Sequence, residues 1–135
     1  MTVRETAAMI AAMEPELVGG EYSFCTTTDA SLAAECLSDA VAMFHGREGT
    51  SFVLPVAKAE ARGFDCSARM RCITLNVYSA LDGVGLTAAV ASALAEHGIP
   101  CNMIAAYHHD HVFIPVGQAD AALSVLTALS RGASG

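Results

Sequence analysis

The apolar positions of this chain change period several times, and each change marks an element. Val3, Ala7, Ile10, Ala11 and Met13 recur at helical spacing, with Thr2 placed to cap the helix and Glu5 its capping-box partner. Glu14-Pro15 ends it, because the residue before proline avoids the helical region, and Gly19-Gly20 predicts a turn. Tyr22, Phe24 and Thr26 alternate with polar residues, which predicts a strand over 21–27. Asp29 then caps a helix predicted over 30–44, with Leu32, Cys36, Leu37, Ala40, Val41 and Phe44 as its stripe, ended by Gly46 and Gly49. A strand over 50–55, a short helical stretch over 56–61 and a polar linker over 62–70 follow.

The second half repeats this grammar more fully. Ile73, Leu75 and Val77 alternate with Thr74, Asn76 and Tyr78 as a strand. The Gly-rich run from Ala80 to Gly85 leads into a helix whose stripe is Leu86, Ala89, Val90, Ala93 and Leu94, stopped by Gly98. Residues 101–107 and 112–116 are spaced to pair as a hairpin across His108-His109-Asp110-His111. Ala121, Ala122, Val125, Leu126 and Leu129 line a last helix. Moreover, Phe52-Val-Leu-Pro-Val-Ala-Lys-Ala-Glu-Ala61 aligns with Val112-Phe-Ile-Pro-Val-Gly-Gln-Ala-Asp-Ala121 at a constant offset of 60. Duplication is the reading that this gapless echo supports, with an abbreviated helix or middle strand in the first copy. The order βαββα on each side of antiparallel strands predicts an α+β, ferredoxin-like sandwich in tandem, divided as residues 1–65 and 66–135.

Composition narrows the functional classes. The chain has 135 residues, 53% of them apolar, which suits one ordinary domain or two half-sized modules and excludes disorder as a description of the whole. No apolar run approaches a membrane span, and the N-terminus lacks the apolar region of a signal peptide. A net charge of −7 with scattered basic residues argues against nucleic acid as a partner. The five cysteines, Cys25, Cys36, Cys66, Cys72 and Cys101, contain no Cys-x-x-Cys pair, so reduced thiols in a cytoplasm are expected rather than disulfides or a zinc ribbon.

Three constellations carry chemistry. The turn Leu81-Asp82-Gly83-Val84-Gly85-Leu86-Thr87 feeds a helix start, where glycines permit close approach and unpaired N–H groups favour a carboxylate. Asp82 could accept from an ammonium group, with Thr87 and Asn102 adding neutral hydrogen bonds; the plainer alternative is a tight turn with an aspartate cap. His108 to His111 is the one metal-like cluster, although adjacent strand residues point apart and a polar hairpin explains it equally. Cys101 with His108, or Cys72 with His111, could be drawn as nucleophile and base, but no nucleophile motif surrounds either. No cofactor fingerprint is present.

The run Leu81 to Ile104 resembles the ACT domain, whose core reads Asp-x-Pro-Gly, then a helix ending Ala-Leu-Ala-x-x-Gly-Ile, then a strand beginning with Asn; Val84 stands where the proline is usual. Tyr22-x-Phe24, Glu48-Gly49-Thr50 and His108-His109-Asp110-His111 are similar to a family of small bacterial proteins with tandem ACT-like repeats. The resemblance implies a non-catalytic regulatory module, a homodimer, that binds an amino acid or other small ligand. The site it implies is Leu81, Asp82, Gly83, Val84, Gly85, Leu86 and the facing strand Cys101, Asn102, Met103 and Ile104, with no metal and no cofactor. A structural dimerisation module with a vestigial site is the principal alternative; metal binding through the His108–His111 hairpin is a weaker one.

Overall fold

The computed structural model describes residues 5–78 and 81–134. Thr2, the predicted first cap, and Ala80, at the head of the Gly-rich turn, lie outside the described residues. The elements run α1 (Thr6–Ala11), β1 (Pro15–Thr27), α2 (Ala30–Cys36), β2 (Ala42–Gly46), β3 (Gly49–Pro55), α3 (Val56–Ala61), β4 (Met70–Leu75), α4 (Leu86–Glu96), β5 (Asn102–Ala105), β6 (Asp110–Pro115), a 3-10 turn over Val116–Gln118 and α5 (Ala119–Ser134). The strand order is β2-β3-β1-β4-β6-β5, and the β1/β3, β2/β3 and β5/β6 pairs are antiparallel. The architecture is α+β and ferredoxin-like, as the sequence pattern predicts.

The chain divides into two compact units: Met1–Gly19 with Arg71–Gly135, and Gly20–Met70. Residues 5–19, expected in the first module, therefore pack with the C-terminal one. The cause is burial. Met9 and Met13 are almost fully enclosed among Ile73, Leu75, Val90, Leu94, Val112, Ile114 and Leu126, and fully burying one such side chain stabilises by about 1.5–3 kcal/mol. Ser130 Oγ donates to the Ala11 carbonyl at 3.0 Å, and Arg71 donates to the Val18 carbonyl at 3.1 Å. The corner between α1 and β1 puts Glu14 at φ 40. Asn76 holds it, its backbone N–H donating to Met13 O at 2.6 Å and its amide to Glu14 O at 3.0 Å. In this unit β4 and β6 supply one side of the larger core and α1, α4 and α5 the other.

The unit of residues 20–70 has a smaller core of Cys25, Cys36, Phe52, Leu54 and Ala59. Two expectations fail in this half of the chain. Gly19-Gly20 is not a turn: β1 runs through it, with Gly20 at φ 91. The helix predicted over 30–44 ends at Cys36, and 42–46 form a strand. The helical spacing of Ala40, Val41 and Phe44 competes there with pairing to β3, and pairing wins. Arg62 secures the reversal, donating to the Glu35 carbonyl at 3.0 Å and pairing with Asp39 at 2.8 Å. The two glycines expected to end a helix instead flank a two-residue hairpin, Gly46 opposite Gly49. The echo at offset 60 has a structural counterpart: Pro55 and Pro115 share almost one conformation, φ −53, ψ 138 and φ −52, ψ 138, each leading a strand into a helical turn.

Candidate functional site

The Gly-rich turn delivers the chain into α4 through Gly85, whose φ of 102 lies in the left-handed region that side chains avoid. Ala89 N–H donates to the Gly85 carbonyl at 2.9 Å, closing the first turn, and among the described residues no side chain caps the helix start. Unpaired amides there carry the positive end of the helix dipole. The turn is braced from α1: Glu5 caps that helix through Ala7 and Ala8, at 3.1 and 2.7 Å, and Thr6 Oγ1 donates to the Val84 carbonyl.

Between this turn, α4 and the β5/β6 hairpin lies a cavity of about 530 Å³. Of the residues singled out in the sequence, Leu81, Gly83, Val84, Gly85, Leu86 and Thr87 line it, together with Met9, Ala88, Ala91, Ala105 and Asp110. Asp82 is exposed and outside the lining. Asn102, Met103 and Ile104 are outside it as well. Asn102 donates its amide to the Phe113 carbonyl at 3.2 Å, and Met103 packs against the core. The β5/β6 register explains this split. Ala105 pairs with Asp110 and Met103 with Val112 on the helix side of the sheet, so Asn102 and Ile104 face away.

Asp110 is the residue that the sequence pattern misplaces. The hairpin closes two residues earlier, through Ala106 N–H donating to His109 O at 3.0 Å, so Tyr107-His108 is the loop and Asp110 opens β6. It is 9% exposed. The neighbouring rings contact one another: Tyr78 lies 5.2 Å from His108 and 4.8 Å from His109, and Tyr107 lies 4.8 Å from His108. Among the described residues no group of three or more His, Cys, Asp or Glu side chains could hold a metal ion. All five cysteines are free. Burial pushes the Cys25, Cys36, Cys72 and Cys101 thiols up, which disfavours the thiolate that nucleophilic chemistry needs.

His111 Nδ1 lies 2.9 Å from Thr74 Oγ1. Burial, then the charge of His109, lowers its pKa from the ordinary 6.5, against an opposing effect of Asp110. An unfolded histidine takes up a proton near the ordinary value, whereas the folded one resists until lower pH. Stability is therefore fully present above about pH 6.5 and declines as pH falls through the folded pKa. Urea titrations at descending pH should show this decline, and His111→Gln should flatten it.

Comparison with known proteins accords with this architecture. Two ACT domain family models match, one over residues 2–71 and the other over residues 67–128. The chain belongs to the ACT domain family. More narrowly, it is a tandem ACT protein, a model matching each half. It is 44% identical to a Vibrio cholerae protein of unknown function, a possible transport protein, over 89% of this chain and 92% of that one, with a TM-score of 0.79. The Agrobacterium tumefaciens protein Atu0741 has the same fold at 17% identity, covering 86% of this chain and 87% of its own, with a TM-score of 0.63. So does the ligand-free regulatory subunit of aspartate kinase from Thermus thermophilus, at 13% identity over 87% and 97%, with a TM-score of 0.65. No curated protein matches the chain. Among the described residues no helix is long and apolar enough to cross a membrane.

Proposed function

We propose that this protein is a non-catalytic regulatory sensor, that it works as a homodimer, and that its ligand is an amino acid held in the cavity at the start of α4. The observation that carries the reading is the presence, along one cavity, of the start of α4 and the acidic residue Asp110. Those groups complement the two ends of a zwitterion. The α-carboxylate meets the amides that follow Gly85, and the ammonium group meets Asp110. Met9, Leu86, Ala88, Ala91 and Ala105 offer the side chain an apolar wall. A cavity of about 530 Å³ lies within the usual range for small-molecule sites, roughly 300–1,000 Å³. Membership in the ACT family supports the regulatory role, since such domains bind small molecules and often pair.

The homodimer reading draws on the exposed aromatic side chains of β1 and β2. Phe24 pairs with Val53 and Phe44 with Ser51 on the side away from the small core, and Phe44 is 73% exposed. Aromatic surface of this kind on a sheet is rarely left to water.

Two measurements test these readings. A thermal-shift screen of the amino acids, with and without divalent cations, should find one that raises the melting temperature. A ligand present at a hundredfold its dissociation constant stabilises by about 2.7 kcal/mol. No response to any amino acid would leave the purely structural dimerisation module as the better account. Light scattering should give a dimer mass at micromolar concentration, reduced by Phe44→Glu; a monomer would remove the dimer from the proposal.

A further inference from the structure

The unit of residues 20–70 contains a cavity of its own, about 560 Å³, between α2 and the β2/β3 hairpin. It exists because α2 is short. Seven residues, against eleven in α4, leave the hairpin end of the sheet uncovered. Leu37 and Met43, 56% and 48% exposed, stand as bare apolar walls on the two sides, with Phe52 among the lining residues.

From this cavity's charge pattern we infer a second ligand site, specific for a small organic anion: a carboxylate or phosphate head on a short apolar body. The unit has four cationic side chains. Lys58 and Arg62 pair with Asp39, at 4.0 and 2.8 Å, and Arg69 pairs with Glu21 and Glu60, at 3.3 and 3.4 Å. Arg47 is in none of these pairs, and it lines the cavity. His45 lies on the same wall, its Nδ1 3.5 Å from Thr50 Oγ1. The hairpin fixes their position. Gly49, at φ 139, sits so close to Thr27 that a Cβ there would lie 2.8 Å from the Thr27 carbonyl oxygen. The Arg47-Glu48 turn is thereby held against the end of β1, and Glu48 does not line the cavity.

The acid of the lining already serves the fold through one of its oxygens. Asp29 is the acidic lining residue, and its carboxylate accepts from Ser31 and Leu32 N–H at 2.9 and 3.2 Å as the cap of α2. The helix start is thus satisfied from within, unlike that of α4. What remains for a ligand is the planar guanidinium fork, which matches carboxylate and phosphate geometry, beside an imidazole and threonine hydroxyls. Asp29 is tied to the start of α2 through Oδ1, so Arg47 is the charged group the lining offers a ligand head, and an anion is favoured here over an amino-acid zwitterion. This inference does not depend on the reading of the α4 cavity.

Amide chemical shifts of the intact protein test it, with isovalerate, isoamyl phosphate and isoamyl alcohol as probes at millimolar concentration. The two anions should perturb residues 27–52 and the alcohol should not; the tighter of the two identifies the head group. Arg47→Met, at an exposed turn, should weaken binding by about tenfold or more. Asp110→Asn should leave it unchanged, since that residue belongs to the other cavity. The inference is overturned by an equal response to the alcohol, by anion binding that survives Arg47→Met, or by no response in 27–52 to either anion. Failure of the α4 proposal registers separately, as absent amino-acid shifts around residues 81–91 and 105–110.

Discussion

Gly85→Val should destabilise the protein by roughly 2–5 kcal/mol, read as a lower urea midpoint by circular dichroism. Two costs combine. At φ 102 a side chain clashes with its own backbone, worst for a β-branched residue. A Cβ at position 85 would also lie 2.8 Å from Thr6 Cγ2 and 2.9 Å from Thr6 Oγ1. The bare glycine therefore seats α1 against the turn, through the Thr6 hydroxyl that bonds Val84. The two costs separate by a double-mutant cycle. Thr6→Ala combined with Gly85→Ala should recover the steric part and leave the conformational part. Full additivity of the two single changes would mean that Thr6 is not the obstacle. Gly85→Val is consequently a poor probe of ligand approach, because it loosens the turn before any ligand arrives.

Much of the unit containing the α4 cavity was legible in the sequence, because its periodicities are clean and its burial follows them. Ile73 and Leu75 alternate into the core, Leu86, Val90 and Leu94 recur at helical spacing, and Ala122 and Leu126 face them from α5. The other unit was less legible. Leu32, Cys36, Leu37, Ala40, Val41 and Phe44 satisfy a helical template, yet only the first part is helix. β2 is made by its pairing with β3 rather than by its own pattern, since Met43 and Phe44 on opposite faces are both substantially exposed. Position along the chain also misled. Met9 and Met13 lie at the N-terminal end but are bound into the core of residues 71–134, a tertiary fact that local spacing does not encode.

At the candidate site, the turn was legible and its facing strand was not. The glycines mark the turn by themselves, whereas the face that a strand presents depends on its register. A shift of one position exchanges Asn102 and Ile104 for Met103 and Ala105. The same parity brings Asp110 into the cavity, where the sequence pattern had made it a turn residue. The closest available signal was its placement two positions before the apolar run Val112-Phe-Ile114, consistent with the start of a strand.

Asp110→Asn should abolish amino-acid binding in the α4 cavity while the protein stays folded. The change keeps size and shape and removes the negative charge. If the ammonium group of the ligand is held there, binding loses a charge-assisted hydrogen bond to a residue that is itself only 9% exposed. Truncating one partner of a buried charge pair costs about 2–5 kcal/mol, or roughly thirtyfold to several thousandfold in affinity. Calorimetry with the amino acid found by thermal shift measures this directly. Asp82→Asn is the matched control: the same chemistry on the same turn, but exposed and outside the cavity, so affinity should stay within about twofold. The reverse pattern, binding lost with Asp82→Asn and kept with Asp110→Asn, would move the ammonium partner to the outer side of the turn. A ligand whose affinity ignores both changes would have no ammonium contact here, and the zwitterion reading of the cavity would fall.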